Sequence, residues 1–171
     1  MHVKRFFIKF EYGVGFFANT IIKKEIFMIE QDTIRLLREC DSGIKMGVAS
    51  IDDVLKYVEA DNLKRTLVEC KDKHIDLGKE TEQLLNKYKD EGKNPNPIAK
   101  GMSWMKTNVM LGMHESDHTI ADLITDGCNM GVKSLNKYLN KYEAAEEKSK
   151  DICKRLINLE QNLALDIRGY L

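Results

Sequence analysis

Apolar residues recur at every third or fourth position along four long stretches of this chain, a spacing that puts their side chains on one face of an α-helix. The four apolar faces comprise Leu37, Cys40, Ile44, Gly47, Ile51, Val54 and Val58; Leu63, Leu67, Cys70, His74, Leu77, Leu84 and Tyr88; Ala121, Ile124, Cys128, Gly131, Leu135, Tyr138 and Tyr142; and Ile152, Leu156, Leu159, Leu163, Ile167 and Tyr170. Such a face is stable only when another element covers it. The pattern therefore predicts an all-α protein in which four helices pair as two helical hairpins.

Part of the first predicted helix is repeated in the third. Eight residues of the stretch 43–60 recur unchanged at a constant offset of 84 positions. In the first copy they are Gly43, Met46, Gly47, Val48, Ser50, Leu55, Glu59 and Ala60. Identity at a fixed offset indicates an internal repeat. We therefore interpret the two hairpins as copies of one duplicated unit.

The connection between the hairpins is long and contains an apolar periodicity of its own. Pro95 and Pro97 cannot continue the second helix, because proline lacks the amide donor and clashes with the preceding turn. A short helix is then predicted from Ile98, Met102, Met105 and Val109. Ser116, Asp117 or Thr119 is expected to cap the third helix. A connection of about 25 residues reaches from one end of a bundle to the other, which favours a single long crossover.

The first 27 residues do not share the helical pattern. Their apolar run is too short to span a bilayer, and no small-residue cleavage site follows it. The residues from Lys23 to Met28 can be encoded as AAA AAG GAG ATA TTT ATG, which places a ribosome-binding sequence before an ATG. We therefore predict that translation starts at Met28, that residues 1–27 are a non-native extension, and that residues 28–171 form a single helical-bundle domain.

Composition narrows the class of protein without naming a function. Charged residues make up 32% of the chain, hydrophobic residues 43%, and the formal net charge is zero. A nucleic-acid surface would need a basic stripe with interleaved aromatic residues, so nucleic acid is not expected as a partner. A membrane is not expected either, because the N-terminal apolar run is too short to span one. The four cysteines have no Cys-x-x-Cys spacing and fit the reduced core of a cytoplasmic protein. With a crossover, Cys70 falls near Cys128 and Cys40 near Cys153, an arrangement that would suit a thiolate site.

Three segments of the sequence carry a family resemblance. They are Glu39–Gly43, Asn94–Trp104 and Ala121–Gly131. Over residues 28–171 the chain resembles a family of bacterial ferritin-like proteins with four helices and no assigned activity. The resemblance implies a ferritin-like four-helix bundle, in agreement with the duplicated hairpins and the crossover with its short helix, and it implies no reaction.

The ligand pattern of di-iron ferritin-like enzymes does not recur in the two copies. Those enzymes take one carboxylate from each of two helices and a Glu-x-x-His pair from each of the others. Here Glu39 aligns with Leu123 and Asp41 aligns with Thr125. We therefore expect no di-iron enzyme, and we assign no catalytic residue.

His74 is the strongest candidate for metal or redox chemistry. It lies one helical turn from Cys70 on the same face, so the two side chains can reach a common point. The candidate ligands of a transition metal are Glu69, Cys70, His74 and Asp126, with Asp41 and Glu160 as further carboxylates. The competing interpretation is a core histidine satisfied by one carboxylate or hydroxyl.

A pair of glycines lies on the core side of each copy. The pairs are Gly43 with Gly47 and Gly127 with Gly131. Each glycine costs about 1 kcal/mol relative to alanine inside a helix, so another contribution has to offset that cost. We expect the first and third helices to approach closely at these glycines. The alternative is a pocket that holds a bound group.

These patterns favour a non-catalytic helical-bundle protein that acts by partner binding or self-association. No cofactor is predicted. The alternative is an atypical ferritin-like metal-binding or redox protein centred on His74.

Overall fold

The computed structural model describes residues 3–94 and 116–171, with side chains from residue 21 onward. In these residues the chain forms four α-helices, one short 3-10 helix and no β-strand. They are α1, Val3–Leu55; α2, Asp61–Lys87; α3, Asp117–Lys141; α4, Glu147–Ile167; and the 3-10 helix Arg168–Tyr170. The prediction of an all-α chain with four helices is confirmed for this part of the protein. The short helix predicted at 98–109 lies outside the described residues.

Helix α1 begins at Val3 and includes most of the stretch 1–27. From residue 21 to residue 30 every side chain is exposed, and the first buried residues are Thr33 and Leu36. The part of α1 from residue 21 to residue 30 therefore contributes nothing to the buried core. The translation start at Met28 stays a prediction.

Hydrogen bonds at the two ends of the bundle establish the helix directions. At one end, Asp117 at the start of α3 binds the backbone amides of Glu59 and Ala60, which lie between α1 and α2. At the other end, the amide of Glu146, just before α4, donates to the hydroxyl of Thr33 in α1 at 2.8 Å. Helices α1 and α4 therefore run in one direction, and α2 and α3 run in the opposite direction.

The helix ends follow from local sequence. The Ser116 hydroxyl accepts a hydrogen bond from the amide of Thr119 at 3.2 Å, so the cap of α3 falls on the first of the three predicted residues. After α2, Lys89 and Gly92 both have positive φ values, 55° and 77°. Glycine adopts this left-handed conformation without strain, and the turn there directs the chain away from the α2 axis.

The apolar core consists of two clusters along the bundle. One cluster is Leu36, Leu37, Cys40, Ile44, Leu77, Leu85, Leu135, Tyr142, Ala145, Ile152, Cys153, Leu156 and Ile157. The other is Ile51, Val54, Val58, Leu63, Leu67, Cys70, Ile120, Ala121, Ile124, Cys128, Leu163 and Ile167. Between the two apolar clusters, each helix contributes one residue to a layer that we call the polar layer. Its members are Gly47, His74, Gly131 and Glu160.

Candidate functional site

His74 and Glu160 form a buried pair in the polar layer. Nε2 of His74 lies 3.0 Å from Oε1 of Glu160, so the contact joins α2 to α4. The side chain of His74 is 1% exposed and that of Glu160 is 12% exposed. The interpretation of His74 as a core histidine satisfied by one carboxylate describes this geometry.

Both ring nitrogens of His74 face acceptors. Nδ1 lies 2.9 Å from the backbone oxygen of Cys70, which is the i−4 carbonyl of the same helix, while Nε2 faces Glu160. A neutral imidazole has one donor nitrogen, whereas the imidazolium has two. The arrangement therefore matches a charged histidine that donates to both oxygens.

The electrostatics agree with a charged histidine. Burial by itself lowers the pKa of His74, but the hydrogen bonds with Cys70 and Glu160, together with the charge of Glu160, raise this pKa from 6.5 to about 10. A buried carboxylate without a partner would be costly, because desolvation penalises the charged form. The His74 imidazolium and the Glu160 carboxylate stabilise each other's charge.

The four cysteines are free and buried. A hydrogen bond with Cys153, followed by burial, raises the pKa of Cys40 well above its ordinary value. Burial, followed by the charge of Glu160, raises the pKa of Cys128. The thiolate is the nucleophile and the metal ligand, so Cys40 and Cys128 are held in their unreactive form.

The predicted metal ligands are brought together only in part. Cys70 Sγ lies 3.6 Å from Nδ1 of His74. Glu69 and Asp126 are exposed, and Glu69 lines a separate groove of about 450 Å³ between α2 and α4. Over the described ranges, no group of three His, Cys, Asp or Glu side chains is arranged to hold a metal ion. Glu160, rather than Glu69 or Asp126, is the carboxylate that reaches His74.

The neighbours of Gly47 and Gly131 differ from the predicted ones. A Cβ added at Gly47 would lie 2.7 Å from Nε2 and 2.9 Å from Cδ2 of His74, and a Cβ at Gly131 would lie 3.6 Å from the carboxyl carbon of Glu160. The sequence predicts the facing helix backbone at these positions. The side chains of His74 from α2 and Glu160 from α4 fill that space instead.

Gly43 and Gly127 have more room. A Cβ at Gly43 would make ordinary contact with Leu156 at 3.6 Å, and a Cβ at Gly127 would meet no described atom within 4 Å. Neither position therefore shows the predicted close approach of helix backbones. At Gly127 the absent side chain leaves open space.

That open space belongs to a cleft of about 100 Å³ between α1 and α3. On the α1 side the cleft is lined by Gly43, Met46, Gly47 and Ser50, and on the α3 side by Leu123, Ile124, Gly127 and Cys128. His74 and Glu160 form its buried end. Gly43 and Gly47 of the first copy and Gly127 of the second thus border an apolar cleft that reaches the polar layer. A bound group in this cleft stays a prediction.

Comparisons with known proteins add no identity to this geometry. No family model, no characterised protein and no solved structure matches the chain. None of the helices, over the residues that the structure describes, combines the length and the apolar character that crossing a membrane requires.

Proposed function

We propose that this chain is a non-catalytic helical-bundle protein that acts by binding an apolar helical segment, from a partner protein or from another copy, in the groove between α1 and α3. The observation that carries the proposal is the open cleft beside Gly127. On both neighbouring helices, α1 and α3, this cleft is lined mainly by apolar residues and glycines. An amphipathic helix that lays its apolar face into a hydrophobic groove is a recurrent mode of recognition.

Exposed methionines of the two neighbouring helices support this mode of binding. Met46, which lines the cleft, is 38% exposed, and Met130, three residues after Gly127 on α3, is 64% exposed. Methionine adapts its shape to different apolar partners, which makes it common on binding surfaces. The two methionines are equivalent residues of the repeated stretch, so the proposed surface uses the same position of both copies.

The chemistry of the site favours binding over catalysis. His74 uses both ring nitrogens within the protein, so neither is free to accept a proton or to ligate a metal. The raised pKa of Cys128 keeps that thiol protonated beside the cleft. A metal-binding or redox role would gain support from stoichiometric iron or manganese in the purified protein that is lost in His74→Ala.

We also propose that the bundle has the ferritin-like arrangement of two duplicated hairpins with one crossover. The support is the pair of end contacts, in which Asp117 binds the α1–α2 turn and Glu146 binds Thr33. These contacts make α2 and α3 run in the same direction, which requires their connection to return along the length of the bundle.

A labelled peptide tests the proposed function. The probe is the chain's own sequence 96–111, because its apolar residues have helical spacing. We expect saturable binding in fluorescence anisotropy to the full chain carrying Met102→Asp and Met105→Asp, and loss of binding when Gly127→Glu is added. A scrambled peptide is the control. Absence of saturable binding to both this chain and the wild type would contradict the proposal.

A further inference from the structure

Asp117 holds the start of α3 against the end of α1. Its two carboxylate oxygens accept hydrogen bonds from the backbone amides of Glu59 and Ala60, each at 2.9 Å. The residues that precede α3 therefore arrive beside this end of α1.

Lys93 follows α2 and attaches the chain to α1 at the opposite end of the bundle from Asp117. Its amide donates to Asp41 at 2.9 Å, and its Nζ lies 2.8 and 2.9 Å from the two carboxylate oxygens of Glu39. The carboxylate of Glu39 also interacts with the hydroxyl of Tyr138 in α3. Lys93 thus lies where α1 and α3 meet, at the opposite end of the bundle from Asp117.

The length of the connection fits a path along the bundle. Residues 95–115, 21 in number, join the two points. From Glu39 to Leu55, α1 rises about 24 Å at 1.5 Å per residue. A helical segment of 21 residues spans about 31 Å, whereas an extended one reaches roughly 70 Å. A mainly helical path parallel to α1 therefore matches the distance.

The direct path between the two points runs along the cleft. Glu39, which binds Lys93, is followed on the same face of α1 by three residues at helical spacing that line the cleft. These three are Gly43, Met46 and Ser50. A segment that leaves Lys93 toward Asp117 along this face has to pass over the cleft.

We propose, on the basis of the proposed function, that the resident occupant of the groove between α1 and α3 is segment 98–109 of this same chain, docked as an amphipathic helix. Its apolar face consists of Ile98, Met102, Met105 and Val109. Their spacings of four, three and four residues keep the side chains on one side of a helix. That face needs a partner, and the groove is the apolar surface that lies between the two ends of the segment.

A methionine side chain suits the cleft in size and in chemistry. An apolar cavity of about 150 Å³ holds a benzene molecule, so the cleft of about 100 Å³ holds one smaller group. The unbranched thioether of methionine fits irregular gaps. Met102 and Met105 occupy the middle of the apolar face, and docking there would also cover the exposed Met46.

Hydrogen–deuterium exchange of the full-length chain tests the proposal. Gly127 and Gly169 form a matched pair of positions, since a Cβ added at either meets no atom within 4 Å in the described part of the chain. Gly127→Glu places a charged side chain in the cleft, whereas Gly169→Glu places one in the 3-10 helix, outside the cleft lining. Light scattering on the same samples gives the mass.

In the wild type we expect the amides of 98–109 to exchange at least about tenfold more slowly than in a free peptide of that sequence. Gly127→Glu should abolish this protection, and Gly169→Glu should retain it, with α2 and α4 equally protected in all three proteins. Exchange at free-peptide rates, protection that persists in Gly127→Glu, or protection found only in a dimer would each overturn the proposal. If segment 98–109 is not the resident occupant but the groove does bind apolar helices, peptide 96–111 would still bind in the anisotropy experiment.

Discussion

Nε2 of His74 and Oε1 of Glu160 lie 3.0 Å apart at the level where the two apolar clusters of the core meet. The contact joins the second helix of one hairpin to the second helix of the other. A buried ion pair adds little net stability, because desolvation offsets much of the attraction. Loss of one partner is strongly destabilising, since the remaining charge is left buried and unpaired.

We predict that His74→Ala and Glu160→Ala each lower the free energy of unfolding by about 3 to 5 kcal/mol. The reason is the uncompensated charge, together with the cavity left by the side chain. Urea unfolding followed by circular dichroism measures the effect. Arg155→Ala is the control, because it removes an exposed ion pair with Glu80, and exposed pairs contribute about 1 kcal/mol or less.

The double variant His74→Leu with Glu160→Leu sharpens this test. It leaves no unpaired charge in the core, so its cost should fall well below the sum of the costs of the single variants His74→Leu and Glu160→Leu. Additive losses would show that the two side chains act independently and that the contact does not govern their energetics.

The pH dependence of stability follows from the raised pKa of His74. The unfolded value is 6.5 and the folded value is about 10, so the folded state binds the extra proton across this window. The stabilisation is complete below pH 6.5 and is lost as the pH rises toward 10. Between pH 7 and 9 we expect a loss of about 1.4 kcal/mol per pH unit from this group. Urea unfolding should show this slope in the wild type but not in His74→Gln, and equal slopes would contradict the charged pair.

The glycines of the polar layer and of the cleft should respond differently to alanine. At Gly47 the new methyl group would lie 2.7 Å from Nε2 of His74, and this ring is held by hydrogen bonds at both nitrogens. Gly47→Ala should therefore destabilise the protein by about 1 to 3 kcal/mol. Gly127→Ala meets no described atom within 4 Å and gains up to about 1 kcal/mol through helix propensity, so it should cost less stability than Gly47→Ala. Thermal unfolding compares the two, and stabilisation by both alanines would show that Gly47 faces free space.

Deletion of residues 1–27 should leave helix packing and thermal stability unchanged. Every residue from 21 to 30 is exposed, and burial begins at Thr33. The melting temperature of the chain that starts at Met28 should equal that of the full chain. A decrease of more than about 4 °C, which corresponds to roughly 1 kcal/mol or more, would show that the removed residues pack against the bundle. Mass spectrometry of protein expressed from the natural gene with its upstream sequence identifies the translation start.

The buried helix faces are predictable from the sequence because they depend on local periodicity. Leu63, Leu67 and Leu77 recur at helical spacing and are all buried in α2. The cap at Ser116 is predictable for a similar reason, since its hydroxyl needs only the amide three residues ahead.

The partner of His74 is not predictable in this way. Glu69, Asp41, Asp126 and Glu160 are all candidate carboxylates along the sequence, but which one reaches the ring depends on the rotation of whole helices about their axes. In the structure Asp41 binds the amide of Lys93 at the end of the bundle, and Asp126 is exposed. Glu160 reaches His74 because both Gly47 and Gly131 leave space around the pair.

Photo-crosslinking from Met130 tests the central claim, occupancy of the groove between α1 and α3 by an apolar segment, most directly. Met130 is 64% exposed on α3, and Leu165 on α4 is a control that is 55% exposed. p-Benzoylphenylalanine placed at Met130 should crosslink to residues 95–115 of the same chain or to the apolar helix of a partner, and the control should give neither product. A crosslink yield at Met130 no higher than at Leu165 would contradict the claim that this groove binds a segment.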